Sequence, residues 1–581
     1  MDVETKTRYV RAATTGEVDE QGYKVATVEG HSLAIFHHDG GFYAIDNRCP
    51  HMGFPLHRGT VADGILTCHW HHARFELCTG GTFDLFADDV RSFPVDVRDG
   101  EIWVDVAPTG DPAARHRKRL RDGLEHVLPL VIAKAVVALD DLGTDPSASV
   151  AVGVEFGTRY RQRGWFQGLT MLSCFASLVP RLDAQDRSRA LYHGLSAVAR
   201  DCVGQPPRFD IGALPTDGAD APTLKRWLRR FVETRDLEGV ERCIVSAVRG
   251  GADASAMTDM LLAAATDHRF IDAGHTADFT NAAIETLEWC GWEHAERVLA
   301  SLARSYAFAS RAEESQSWRH PVDVVAIEEA AFDELAKALE AGWDHRDTWD
   351  GRDDLVPVLL GDDPQAIADA LLAALADGAT AADLASSVVY ASALRIAQFP
   401  TSNEFGDWDE ALHSFSFANA IHQSVRRAPS AELVRGIFDA AMTVYLNRFL
   451  NAPAAPLPEP EDRADEPEAI LRELPALFDR QAQVKPAGEL VARYLYGGGD
   501  PDRLIASLGS LLVREDRDFH SIQTVAAAVR QFSSLGVTDA GVHMLVAAAR
   551  YLAAHAPTVR SEDQTFRIAW RLHRGENVYE D

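Results

Sequence analysis

A chain of 581 residues exceeds one ordinary hydrophobic core, so two or more are expected. Its 46% apolar and 25% charged residues are those of a soluble globular protein, and a formal charge of -30 opposes a phosphate backbone, which excludes nucleic acid as an expected partner. Seven scattered cysteines are an odd number and too sparse for a disulfide scaffold; those with close histidine neighbours suggest a metal site in a reducing compartment.

The opening stretch, MDVETKTRYVRAATTG, has no signal-peptide apolar core, and the most apolar helical run, Val127 to Leu139, is too short to span a bilayer and contains Lys134. A cytoplasmic protein without a membrane partner is expected. Up to about Ala107 the runs YKVATVEG, HSLAIFHHDG, GFYAID, VRSFPVDVRDG and EIWVDV alternate apolar and polar residues between Asp-Gly or Gly-Gly corners, which predicts a small all-β domain. Within it stands Cys49-Pro50-His51 and, after sixteen intervening residues, Cys68-His69-Trp70-His71. Each of two short loops thus offers one thiolate and one imidazole, so that two cysteines hold one iron and two histidines the other. Zinc accepts the same donors, but zinc motifs rarely come in this loop context.

Residues 8 to 107 resemble the Rieske [2Fe-2S] family, in these four positions and in HMGFPL, GTVADGILTC and ARFELCTGG. The resemblance implies that Cys49 and Cys68 bind one iron of a [2Fe-2S] cluster and His51 and His71 the other, leaving His69, His72 and Cys78 outside it. Rieske proteins of respiratory complexes carry an extra disulfide-bonded cysteine in each loop; here those places are Phe54 and Trp70, so the domain looks like the ferredoxin or oxygenase type. Imidazole in place of thiolate leaves the cluster less negative and easier to reduce, suited to passing single electrons.

After APTGDPAARHRKRL the apolar spacing changes to three and four residues and remains so almost to the end, predicting a large all-α, helical-repeat domain. The expected division is a cluster domain at 1–107, a linker and basic helix start at 108–122, a first helical part at 123–450, a Pro- and acid-rich linker at 451–468, and a second helical part at 469–581. The basic RHRKRLR is expected as a solvated first helix, and Lys134 as a side chain snorkelling at the edge of a core helix. No Gly-rich nucleotide loop follows a strand, so an external reductase or ferredoxin is expected to supply electrons.

Three helical segments, beginning at Ala247, Ala374 and Tyr494, align as helix, Gly-rich turn, helix, acidic stretch, histidine, helix. The alignment superposes His275, His413 and His520, and a weaker fourth copy holds His193 in ALYHGL. Stacked repeats tend to present equivalent positions on one side, so these four are candidate metal ligands, with His268, His422 and Asp272 as alternates. Acids just upstream, Asp272, Asp409 or Glu410, and Asp516, suit either orientation of an imidazole or helix capping. Imidazoles suit iron, zinc or copper, and a mononuclear or dinuclear non-haem iron is expected beside an iron-sulfur electron source.

The fragments LYHGL and GHTADFTNA resemble the questin oxidase family, which implies a helical catalytic domain for oxygen-dependent cleavage of aromatic polyketide rings and a multi-histidine iron site. The combined reading is a Rieske cluster delivering electrons to an oxygenase site that acts on a small organic substrate, the aromatic residues Phe279, Phe415, Phe417 and Trp408 suiting an apolar one. The alternative is an electron-transfer or redox-sensing protein whose helices form a partner-binding scaffold. A homo-oligomer would provide a route between clusters and oxygenase sites of neighbouring subunits. Catalytic residues beyond the metal ligands are not assigned by the sequence.

Overall fold

The structure, a computed structural model, describes residues 9–107, 111–215, 219–346, 348–460 and 466–578. Ten strands open the chain: β1 Tyr9–Thr14, β2 Tyr23–Val28, β3 His31–His38, β4 Gly41–Asp46, β5 Thr60–Ala62, β6 Ile65–Thr67, β7 Arg74–Glu76, β8 Ser92–Phe93, β9 Val95–Arg98 and β10 Glu101–Asp105. They pair antiparallel into three sheets of order β1-β10-β9, β2-β3-β4-β8 and β5-β6-β7. The corners are set locally. Glu29-Gly30, Asp39-Gly40, Asp63-Gly64 and Asp99-Gly100 all take positive φ at both residues, the two-residue turn whose twist matches that of paired strands.

Strand β3 separates two cores because successive side chains leave a strand on opposite faces. Leu33 and Ile35 pack with Val18, Ile102 and Val104, while Ala34 and Phe36 pack with Leu66, Phe75, Cys49 and Cys68. The two cysteines are therefore part of a hydrophobic core, not of the surface. Phe75 is fully buried there, and its truncation to Ala would cost about 3 to 5 kcal/mol.

Two compact units emerge, residues 1–145 with 564–581, and residues 146–563. This differs from the expected division. Helices Pro112–Glu125 and Pro129–Asp141 belong with the β domain, as does most of the last helix, Ser561–His573. Their helical period is the same as that of every later helix, and the period does not say which core a helix covers. Polar ties do: Arg119 donates to the carbonyls of Leu85 (3.1 Å) and Ala87 (2.7 Å), and Arg48 donates to those of Leu572 (2.5 Å) and Glu576 (2.7 Å). Arg119 of the basic stretch is thus engaged and not merely solvated. The expected linker at 451–468 lies partly outside the described residues; its start is pinned by Ala455 N–H on the Gln398 carbonyl, 2.8 Å, and a helix begins at Pro467.

The second unit is helical, with no strand among its described residues. At its centre four helices close a ring: Gln167–Leu178 packs on His275–Cys290, that on Asp407–Arg427, that on Phe519–Leu535, and the last again on the first. The three aligned sequence segments contribute one helix each. Asp518 caps the last of the four, accepting from the Ser521 N–H at 2.8 Å. The chain enters His275 through a contorted turn in which Phe270, Asp272, Ala273 and Gly274 have φ of 39, 55, 52 and 90°. Three of these carry side chains, so strain is stored there, a feature that clusters at functional sites. Gly274 is required twice over, by its φ and because a Cβ would lie 2.9 Å from that of Phe417.

Candidate functional site

The first site is built from two loops with one hydrogen-bond frame. Cys49 N–H donates to the Phe54 carbonyl (2.8 Å) and the Cys49 carbonyl accepts from Gly53 N–H (2.8 Å); Cys68 N–H donates to the Ala73 carbonyl (2.9 Å) and its carbonyl accepts from His72 N–H (3.0 Å). In each loop the residue four beyond the cysteine is left-handed, Gly53 at φ 84° and His72 at φ 60°. That accounts for His72, a backbone position. His69 is turned to Thr60, its Nε2 2.6 Å from the hydroxyl, and Cys78 is exposed. The loops place the His51 and His71 rings 4.9 Å apart and hold both cysteines buried and free. Phe54 and Trp70 pack together at 6.2 Å, filling the places of the absent disulfide.

This donor set fits a two-iron cluster. Backbone amides of His51 and Met52 point at the Cys49 sulfur, and those of Trp70 and His71 at the Cys68 sulfur. The thiols hydrogen-bond to each other; that bond, then burial, raises the Cys49 thiol, while the same bond lowers Cys68 to about 6. Nδ1 of His51 is buried without a hydrogen-bond partner, an orphan that a coordinated metal would satisfy. Burial, then the charges of His71 and Lys134, lowers His51 to about 4, so the ring is a neutral donor at physiological pH.

The second site lies in the helical unit, near the N-terminal ends of three ring helices. One nitrogen from each of His275, His413 and His520 lies within 4.8 Å of the others, and the Nε2 atoms of His413 and His520 are 3.2 Å apart. Among the described residues this is the one group of three donors with metal-site spacing. An acid holds one of the rings from behind, His275 Nδ1 lying 3.1 Å from Asp278 Oδ2; His520 Nδ1 lies 3.6 Å from Asp409 Oδ1, beyond hydrogen-bond reach, and that oxygen accepts from the Tyr551 hydroxyl at 2.8 Å. Fixing His275 Nδ1 in this way leaves its Nε2 to face a metal. Burial opposes the charge on His275, yet the charge and hydrogen bond of Asp278 together with the charge of Asp272 outweigh it and its value is raised; burial and then the charges of His275 and His520 lower His413 to about 4, and His520 is lowered chiefly by burial.

The other candidates lie elsewhere. His193 is outside the trio: its Nδ1 is 2.6 Å from Glu562 Oε2 and its ring packs on Phe175 and Tyr192, so the weak fourth repeat yields a buried histidine held by a carboxylate. His268 pairs with Glu313 (2.9 Å) and His422 with Gln531 (3.0 Å). Asp272 forms part of the strained turn, its N–H on the Ser310 carbonyl and its carboxyl raised by burial. Asp516 caps the last helix, accepting from Ser561 and Glu562 N–H, and does not orient His520. Of the expected aromatics only Phe279 touches a trio ring, stacked on His275 at 5.3 Å; Phe415, Phe417 and Trp408 are core residues. Sequence reading missed Asp278, although the spacing His-x-x-Asp places both on one helical face. It also missed Phe519, 5.8 Å from His275 and 5.2 Å from His520.

Between the ring helices, starting one turn beyond the histidines, runs a narrow cavity of about 40 Å³ lined by Asp278, Asn281, Glu285, Ser416, Asn419 and Gln523, among others. Asn281 and Asn419 stand at equivalent places, six residues beyond His275 and His413. The trio has a second, open side, where the His275 and His520 side chains are 20% exposed.

The class defined by the two-loop frame and its donors is an iron-sulfur electron-transfer domain of Rieske type. Residues 8–94 match the Rieske [2Fe-2S] domain family, and the chain belongs to that family through this N-terminal domain. It is 39% identical over 77 residues to the 3-phenylpropionate/cinnamic acid dioxygenase ferredoxin subunit of Photorhabdus laumondii, spanning 13% of this chain and 73% of that one. With the ferredoxin component of the p-cumate 2,3-dioxygenase system of Pseudomonas putida the identity is 35% over 96 residues, 16% of this chain and 81% of the other. A solved ferredoxin of carbazole 1,9a-dioxygenase from Nocardioides aromaticivorans is 29% identical, covers 17% of this chain and 98% of its own, and has a TM-score of 0.16. The family match leaves the helical remainder uncovered. No described helix is long and apolar enough to cross a membrane.

Proposed function

We propose that the chain is a two-centre oxidoreductase in which a Rieske cluster, with Cys49 and Cys68 on one iron and His51 and His71 on the other, supplies single electrons to a non-haem iron held by His275, His413 and His520. The observation that carries the second centre is the convergence of three imidazole nitrogens within 4.8 Å, drawn from helices more than a hundred residues apart. Metal–nitrogen bonds of about 2 Å require ligating nitrogens within roughly 3 to 4 Å of one another; the His413 and His520 Nε2 atoms, 3.2 Å apart, meet this, and the wider 4.8 Å spread of the trio must contract on binding. Two of the donors are neutral, His413 and His520 being lowered, while His275 is raised and must give up its proton to bind, with Asp278 orienting its ring. His275, His413 and His520 would hold an iron, and iron so bound would supply dioxygen activation. Phe279 and Phe519, whose rings pack on His275, favour an apolar or aromatic organic substrate, in keeping with the dioxygenase systems that the relatives' names describe. Electrons reach the cluster from an external reductase.

Iron counted per chain tests this reading. About three irons are expected after reconstitution, two in the cluster and one in the helical unit. His413→Ala should keep the reducible cluster, fall to about two irons and lose dioxygen uptake under reductant. A wild-type protein that stays at about two irons with excess iron(II) leaves a carrier with a helical scaffold in place of an oxygenase.

A further inference from the structure

Lys134 is the one basic residue in the helix Pro129–Asp141, whose other inward positions, Val131 to Ala133 and Ala135 to Leu139, are buried and apolar. It does not snorkel. Its Nζ donates to the carbonyls of Pro50 and His51, the latter at 3.0 Å, and stands 3.5 Å from Asp88. Asp88 in turn is ion-paired to Arg119, and Arg119 holds the carbonyls of Leu85 and Ala87. From the other side of the same loop Arg48 reaches the carbonyls at the end of the last helix. Helical segments from both ends of the chain thus grip the loop that carries Cys49 and His51.

Burying an ammonium is costly unless its donors are satisfied, and a nonpolar residue would cover the core equally well. Here every identified partner of Lys134 is either a carbonyl of the cluster loop or the one carboxylate that balances it. Net charge and hydrogen bonding around an iron-sulfur cluster set its reduction potential. A fixed cation favours the form that has gained an electron; a fixed anion opposes it. Lys134 lies beyond the family match, which ends at residue 94, so this group is supplied by the helical extension and not by the Rieske fold.

We infer that Lys134 is a positioning and potential-setting residue for the Rieske cluster, a cation delivered by the helical extension to the carbonyls of Pro50 and His51, with Asp88 as the counter-charge that sets its strength. The inference rests on the assignment of Cys49, His51, Cys68 and His71 as cluster ligands and on nothing in the second unit. It gives the protein a means of matching cluster potential to its acceptor that a free ferredoxin of the same fold would lack.

The test is redox titration of the loaded full-length protein, followed by the cluster's electron paramagnetic resonance signal. Lys134→Gln should shift the midpoint potential negative, Lys134→Arg should restore most of the difference, and Asp88→Asn should shift it positive. A residue that only props up the loop would not produce opposite signs from the two partners. Unchanged potentials, or shifts of the same sign in Lys134→Gln and Asp88→Asn, overturn the inference while leaving the cluster assignment intact. A wild-type protein with no Rieske signal overturns the assignment as well. If Lys134→Gln does not load a cluster, the sign of Asp88→Asn decides, a positive shift supporting the inference and any other result rejecting it.

Discussion

The two candidate sites differ in how far along the chain their donor residues are spread. In the first unit Cys49, His51, Cys68 and His71 sit on two loops of one small domain, each built on the same pair of backbone hydrogen bonds around its cysteine. In the second unit His275, His413 and His520 meet only because three helices, each arising from a separate segment, close a ring with a fourth. A locally framed site survives perturbation elsewhere in the chain; a site assembled from distant helices depends on the packing of the whole unit. The aligned segments also show that repetition brings equivalent side chains together only where the repeats pack round one axis, which the His193 segment does not do.

The sharpest way to break this comparison is to remove one ligand from the local site. His71→Ala should abolish the cluster signal entirely, with the helical circular dichroism of the protein retained, whereas His69→Ala and His72→Ala should keep the signal, since one ring is turned to Thr60 and the other residue serves its backbone. Loss of the signal in all three variants would mean the frame is not what selects the ligands.

The distant site is probed next through the acid that orients it. Asp278→Asn keeps the shape of the side chain but removes the charge that holds His275 Nδ1, and metal affinity in the helical unit should fall by roughly 10- to 100-fold, measured by titration with iron(II) or zinc. An unchanged affinity would reduce Asp278 to a packing residue.

Acid should separate the three rings of that site. In the metal-free protein Asp278, against the opposing effect of burial, holds His275 above the usual 6.5, while His413 lies near 4. A raised value means the proton stays on at higher pH, so competition begins at His275. Metal affinity should decline by about tenfold per pH unit below the His275 value and steepen further below 6.5, as His520 and then His413, near 4, also protonate. A slope of two protons already at neutral pH would contradict this order of titration.

The smallest effect is expected where the repeat misled. His193→Ala leaves Glu562 without its imidazole, and the helical unit should lose about 1 to 3 kcal/mol of stability in thermal or denaturant unfolding, with iron content unchanged. A loss of iron in this variant would return His193 to the metal site.

The amino-acid sequence by itself determined the β domain, because alternation and Asp-Gly corners are local signals, and it singled out Cys49, His51, Cys68 and His71 as candidate cluster donors, because thiolates and imidazoles at short spacing within two loops need no long-range contact to be recognised. It also marked His275, His413 and His520, through an alignment of residue types. Only the tertiary structure decided that these three meet and that His193, His268, His422 and Asp272 do not, because an amphipathic period specifies a buried face without specifying its neighbour. The same reason hid the role of Lys134 and the allegiance of the helices around it: a lysine in an apolar helix reads alike whether it escapes to solvent or reaches a carbonyl, and the distinction lay in the cluster loop, some eighty residues earlier in the chain, against which that helix packs.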